Sequence, residues 1–161
     1  MNIRPAQACD AGEIRRVLPE DADVLTSIAF AGKRHWGYPE AWIRQWTEVL
    51  TLTPEFVATH PTYGAIAQGI VIGFYSLTVT SDGAELEHLW VLPAAMRRGV
   101  GRRLFQHAEA TARRHGAARL FIISDPHAEG FYRRMGACWC GEQPASMDGT
   151  PRVLPILEKE L

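Results

Sequence analysis

The chain has 161 residues, 47% of them apolar and 22% charged, with a formal net charge of −1. That length suits one domain with its own core, and that composition excludes a disordered or fibrous polymer. The balanced charge argues against a general nucleic-acid binder.

In chain order, residues 2–4 read as a short strand. Asp10-Ala-Gly-Glu13 has the spacing of a capping box, opening a helix that carries Ile14, Val17 and Leu18 on one face until Pro19. Asp23 caps a second helix through Val24, Leu25, Ile28 and Ala29 to Gly32. A third follows Pro39, with Trp42, Ile43, Trp46, Val49 and Leu50 at helical spacing, and Thr53-Pro54 starts a short fourth. The period then changes. Thr62–Ala67, Ile70–Thr80 and residues 84–92 read as strands of a meander, separated by Gln68-Gly69 and Ser81-Asp82-Gly83.

Val100, Leu104, Ala108 and Thr111 form the apolar face of a helix that closes at Gly116, and Arg119–Ile123 is a compact apolar strand. Another helix opens at Asp125-Pro126, with Ala128, Phe131, Tyr132 and Met135 along one side. Strands near 137–141 and 152–160 complete the chain, and Pro155 places the last at an edge or a bulge. The expected fold is a single α/β (α+β) domain over 1–161. Its mixed, mostly antiparallel central sheet of about six to seven strands is flanked by helices, and the helix after residue 100 crosses between strands 84–92 and 119–123.

Cys9, Cys138 and Cys140 make no disulfide framework and suit a reducing compartment. Cys138-x-Cys140 lacks the second half of a zinc site, so buried thiols and no bound metal are expected. No stretch approaches the ~20 apolar residues of a membrane span, and the first residues have no apolar signal segment. A cytoplasmic location without a membrane partner is the expectation.

The most informative stretch runs from Leu89 to Leu104. A strand ends at Pro93, and Arg97-Arg98-Gly99-Val100-Gly101-Arg102 opens a helix. Helix N-termini offer unpaired N–H groups and the positive end of a dipole, and glycines let a phosphate approach that backbone. Charge is concentrated there as well. Residues 97–134 hold nine basic and three acidic side chains, a local +6, whereas residues 1–96 carry six basic and eleven acidic ones. A localised anionic ligand follows, with a pyrophosphate the best fit. A Rossmann loop would need glycine where Leu104 stands, and a Walker A loop is absent.

This run resembles motif A of the GNAT acyl-CoA-dependent N-acyltransferases, [Gln/Arg]-x-x-Gly-x-[Gly/Ala], with Met96 at the position of the Gln or Arg. Ser124-Asp-Pro-His-Ala-Glu-Gly-Phe-Tyr-Arg-Arg-Met-Gly136 is similar to the family's Asn-x-x-Ala-x-x-x-Tyr-x-x-x-Gly, with Asp125 replacing the Asn. The resemblance implies acetyl-CoA as acyl donor. Backbone groups of Leu89, Trp90 and Val91 would hold the pantetheine arm, and Arg97, Arg98, Gly99, Val100, Gly101 and Arg102 would seat the diphosphate, with Asp125 as a further cofactor contact.

It also implies Tyr132 as the acid that protonates the departing thiolate, although the same tyrosine lies on a core stripe. For the base, Glu87 is preferred, then Glu85, with His88 a third choice if a bulge near 88–90 turns it inward. His35, Trp36 and Tyr38, in a Gly/Pro-bounded aromatic loop, are expected to line the acceptor pocket, where Lys33 and Arg34 could draw a carboxylate. The expected reaction is acetyl transfer to a small-molecule or peptide amine by direct attack, without a covalent enzyme intermediate. The alternative is a non-catalytic acyl-CoA-binding sensor, and a homodimer is left open.

Overall fold

The computed structural model describes residues 12–161, so the strand expected at 2–4, the start of the capping box and Cys9 lie outside the described residues. Seven strands form one sheet: β1 (Glu13–Arg16), β2 (Thr62–Ala67), β3 (Ile70–Thr80), β4 (Gly83–Val91), β5 (Arg119–Ile123), β6 (Cys138–Met147) and β7 (Thr150–Glu160). Their spatial order is β1-β2-β3-β4-β5-β7-β6. Only β4 and β5 pair in parallel, and the helix between them is the crossover that such a pair requires. Helices α1 (Ala22–His35), α2 (Glu40–Gln45), α3 (Thr47–Leu50) and α4 (Pro54–Thr59) precede β2. Helix α5 (Val100–Arg114) follows β4, and α6 (Glu129–Arg134) follows β5.

Period-two alternation divides β3 between two cores. Tyr75 and Leu77 pack with Leu104, Phe105, Ala108, Leu120 and Ile122 beneath α5. Phe74 points the other way and packs with Leu25, Ile28, Ala29 and Val57 from α1 and α4. The sheet is thus covered on both faces, and the α5 face holds the larger cluster.

Several boundaries differ from the sequence reading. The helix expected after Asp10 is strand β1, paired antiparallel with β2 through Ile14↔Ala65 and Arg16↔Tyr63. Ile14 packs towards the α5 cluster and Val17 into the α1 cluster. An extended chain can serve two opposite faces in this way, whereas a helix would have put both residues on one. The third helix is broken at Trp46 into α2 and α3, where the Thr47 hydroxyl donates to the Arg44 carbonyl at 2.7 Å. Val49, expected on the apolar face, is exposed.

Strand β7 is interior rather than an edge. Pro155 is accommodated because β5 has already ended beside it, and its carbonyl accepts from the Ser124 N–H at 2.9 Å. The last two strands are longer than expected because Asp148 and Gly149, both at positive φ, close a two-residue hairpin between Met147 and Thr150. Cys138 and Cys140 are exposed, not buried. The register of β6 skips a residue between Trp139 and Gly141, so Cys140 sits in a bulge on an edge strand.

Leu104 is fully buried between α5 and the sheet. Leu104→Ala is expected to cost about 2–5 kcal/mol through lost transfer energy and the cavity left behind. The measurement is a lower urea midpoint with an unchanged denaturant slope.

Candidate active site

β4 and β5 share only two residue pairs, Ala84↔Leu120 and Glu85↔Phe121, and then diverge. The gap between them is the floor of a cleft of about 660 Å³, within the range of small-molecule sites. It is bounded by the end of β4, the start of α5, the turn before α6, and the end of α1 with the loop that follows.

Divergence leaves the main chain of β4 without a partner on one side. The Leu92 N–H donates to the Ile72 carbonyl at 2.9 Å, and the Trp90 carbonyl lies so close to Gly73 that an added Cβ there would be 2.9 Å away. These groups turn towards β3, so alternation turns those of Leu89 and Val91 towards the gap. Trp90 therefore contributes its ring to the site and keeps its backbone in the β3 ladder.

At the other end stands the N-terminus of α5. Gly99 takes the N-cap position at φ +81°, a left-handed conformation that suits glycine, and offers no side-chain cap. The first intrahelical bond runs from the Arg103 N–H to the Gly99 carbonyl. The N–H groups of Val100, Gly101 and Arg102 therefore have no acceptor among the described residues. Val100 itself buries its side chain in the core and has only backbone to offer. Arg97, Arg98 and Arg102 are exposed and make no ion pair among the described residues. Arg97 and Arg102 line the cleft and Arg98 does not, so free amides, a helix dipole and two uncommitted guanidinium groups meet there, an arrangement suited to an anion.

Between these ends lies Tyr132, 7% exposed and packed against Phe105 and Phe131. Its hydroxyl has no partner among the described residues, and the residue lines the cleft. Burial, followed by the charge of Asp125, pushes its pKa well above the usual phenol value. The hydroxyl therefore keeps its proton through the neutral range. Both expected placements, core stripe and cleft, hold at once.

Glu87 is the extra residue of a bulge in β4, since Ser76 faces His88 while Leu77 faces Leu86. The residue lines the cleft and is exposed, and its carboxylate accepts from the Thr78 hydroxyl at 2.7 Å. Glu85 does not line the cleft, and burial together with the charge of Glu87 raises its pKa. His88, one residue past the bulge, does turn inward and lines the cleft.

The acceptor-loop residues separate. His35 and Trp36 line the cleft, and Trp36 stacks on His127 with centroids 5.2 Å apart. Tyr38 stands behind it in a polar network centred on Asp125. Lys33 Nζ lies 2.7 Å from the Asp125 carboxylate, the Tyr38 hydroxyl is 3.0 Å from both of its oxygens, and the His127 N–H donates to it at 2.9 Å. Arg152, from β7, donates to the Tyr38 hydroxyl at 3.0 Å and lies 3.9 Å from the carboxylate. The rings of Tyr38 and Trp46 flank both cations, with Lys33 Nζ 4.0 Å and the Arg152 guanidinium 5.0 Å from the Trp46 centroid.

Asp125 is thus committed to protein cations. Lys33, read from sequence as a draw for a substrate carboxylate, is committed in turn. Arg152 carried no local signal, because Tyr38, Trp46 and Asp125 all lie far from it in the chain.

Burial alone would raise the Asp125 pKa, but the hydrogen bond and charge of Lys33 and the His127 N–H outweigh it, and the carboxyl ends below its usual value. Lys33 is also lowered, because burial outweighs what Asp125 returns to it. Asp125→Asn is expected to cost up to about 3–5 kcal/mol at neutral pH, since it leaves two half-buried cations without a carboxylate. A depressed carboxyl contributes stability above its unfolded pKa and loses it as pH falls through the folded one. Thermal melts of the two proteins should therefore differ at pH 7 and begin to converge only as the pH falls below about 4, towards the depressed Asp125 value.

The acetyltransferase (GNAT) family model matches residues 25–137 of the chain. The spermidine N(1)-acetyltransferase of Thermoplasma acidophilum is 29% identical over 124 residues, covering 68% of this chain and 77% of that protein. The streptothricin acetyltransferase of Streptomyces lavendulae is 34% identical over 89 residues, covering 52% of this chain and 47% of that protein, so the match spans about half of its length. Among solved structures, a GCN5-related N-acetyltransferase from Rhodopseudomonas palustris superposes with a TM-score of 0.76 at 26% identity, covering 93% of this chain and 96% of that one. The PaiA N-acetyltransferase of Thermoplasma acidophilum, in complex with coenzyme A, shares the fold with a TM-score of 0.73 at 23% identity, covering 92% and 98%. With the splayed β4 edge, the uncapped start of α5 and a family match over most of the sheet, the chain belongs to the GNAT family of acetyltransferases.

Proposed function

We propose that the protein transfers an acetyl group from acetyl-CoA to a primary amine of a small molecule or peptide, by direct attack and without a covalent enzyme intermediate. The observation that carries this reading is the convergence of three unsatisfied elements in one cleft. They are the free N–H groups opening α5, the unpaired main chain of Leu89 and Val91, and the unpartnered hydroxyl of Tyr132.

Each element matches one part of the donor. The start of α5, with Arg97, Arg98 and Arg102 around it, suits a diphosphate. The β4 edge suits an amide-bearing arm that adds to it like a short strand, which brings a thioester beside Leu89 and Val91. Acetyl-CoA supplies an activated acetyl group whose thiolate needs a proton on departure. Tyr132, held protonated by burial, is the group placed to donate it. The amine must lose a proton to attack, and Glu87, exposed at the same cleft, takes it directly or through water.

The cleft also argues against a covalent route. Its one serine among the described lining residues, Ser124, donates its hydroxyl to the Asp125 carbonyl at 2.7 Å. Cys138 and Cys140 stand on β6 and do not line the cleft. The names of the relatives that acetylate spermidine and streptothricin support a small amine-bearing acceptor.

A thiol-release assay with acetyl-CoA over an amine panel tests the reaction. Tyr132→Phe should lower kcat by about 10²–10⁴-fold with the acetyl-CoA Kd unchanged by calorimetry. Binding without turnover on any amine would instead indicate the sensor alternative. Gly101→Val places a branched side chain on the first turn of α5 and should weaken coenzyme A by about ten- to a hundredfold in the same calorimeter, the loss of one or two charge-assisted bonds. Unchanged affinity there would remove α5 from the donor site.

A further inference from the structure

His88 lines the cleft beside Glu87 and has no part in the chemistry above. It is half-buried on the α1 side of β4, with the Phe56 ring meeting it edge-on at 5.8 Å and Phe74 beside it at 5.9 Å. The indole Nε1–H of Trp90 donates to its Nδ1 at 3.2 Å. An indole nitrogen can only donate, so Nδ1 must keep its lone pair and the ring proton belongs on Nε2. Burial lowers the pKa to about 4, which keeps the ring neutral at working pH. As a base it would have to give up the Trp90 bond. Nε2–H has no acceptor among the described residues, yet it is not one of the polar atoms sealed from solvent. A residue that lines the cleft therefore carries a fixed hydrogen-bond donor that is open to solvent and unpaired.

Carboxylates are sparse there. Two carboxylates line the cleft among the described residues, Asp125 and Glu87. Asp125 is taken up by Lys33, Tyr38 and His127, so only Glu87 has no cation of its own. A polyamine would bring two or more ammonium groups and no accepting oxygen. It would meet one free carboxylate, a neutral donor, and a buried network in which two cations share one carboxylate.

We infer that the acceptor is a primary amine bearing a hydrogen-bond-accepting oxygen within a few bonds, an amide or carboxyl carbonyl, which the Nε2–H of His88 receives while Glu87 faces the amine. This rests on the acetyl-transfer reading above and narrows its substrate class. It also sets the chain apart from its relative named for spermidine. A site built to donate a hydrogen bond discriminates against analogues that lack the acceptor, because the donor is then left unpaired.

The test compares an amino-acid amide with the alkylamine of equal length and with spermidine in the thiol-release assay. The amide should be preferred by about ten- to a hundredfold in kcat/KM, the cost of leaving a half-buried donor unpaired. His88→Phe should bring the ratio to within about threefold, and His88→Gln, which keeps an N–H donor, should restore part of it. In ¹⁵N spectra of the unliganded wild type, His88 should show protonated Nε2 and bare Nδ1 from pH 6 to 8. Spermidine or the alkylamine used as well as the amide would overturn the inference and leave acetyl transfer intact. So would an equal loss on both acceptors in His88→Phe, or a ring protonated on Nδ1. Binding of acetyl-CoA with no amine turned over would overturn both.

Discussion

β4 and β5 leave each other after two residue pairs, and everything the site does depends on that separation. A parallel pair that stayed in register would satisfy the main chain of Leu89 and Val91 and close the cleft. Main-chain groups in a protein interior are almost always paired, so an unpaired edge inside a covered sheet demands an outside partner. The same separation lets the start of α5 face the gap instead of packing against strand. An anion seat and a strand-like edge thereby occupy one cavity, and a long donor with a phosphate at one end and amides along its arm can use both.

The region around Asp125 shows how one substitution within a family pattern changes what surrounds it. Where the pattern has Asn, this chain has a carboxylate. A carboxylate at about 11% exposure needs cations. Lys33 from α1 and Arg152 from β7 meet that need, and Tyr38, Trp42 and Trp46 wrap the cations with their rings. The turn that leads into α6, and so to Tyr132, is thereby tied to α1 on one side and to the last hairpin on the other. Rigid placement of a side chain such as Tyr132 needs neighbours that do not move, and this network connects three otherwise separate elements.

Much of this was legible in the sequence, for physical reasons that can be stated residue by residue. Thr62–Ala67, Ile70–Thr80 and Arg119–Ile123 were read with their observed ends, because period-two patterns bounded by turn residues leave little freedom. The start of α5 was legible because glycine spacing and arginine density are both local. β1 was misread, since the Asp10–Glu13 capping signal is also local and pairing with β2 overrode it. The Asp148-Gly149 pair is a local hairpin signal, of the kind that closes two-residue turns between strands. Arg152, the interior position of β7 and the role of Lys33 had none, because contacts between residues far apart in the chain leave no periodic trace. Tyr38 was assigned to the pocket for its company, and only the burial of Asp125 shows why it stands behind the wall instead.

The bulge at Glu87 links these points. Before it, Ala84 and Leu86 face the α5 core. After it, Leu89 and Val91 do, while His88 and Trp90 face α1. Were β4 regular through Glu87, with no bulge, His88 and Trp90 would continue the buried face of Ala84 and Leu86, and a histidine would enter an apolar core unpaired. With it, the Trp90 ring packs so closely on α1 that an added Cβ at Gly32 would lie 2.6 Å from it. The indole N–H of the same ring is left pointing back along the strand to His88. One bulge thus sets apart Glu87, turns His88 to the α1 side at the cleft and fixes its tautomer through Trp90. The open edge at Leu89 and Val91 is the product of strands parting. The placing of Glu87 and His88 is the product of a single change of parity two residues past the last pair of β4 with β5.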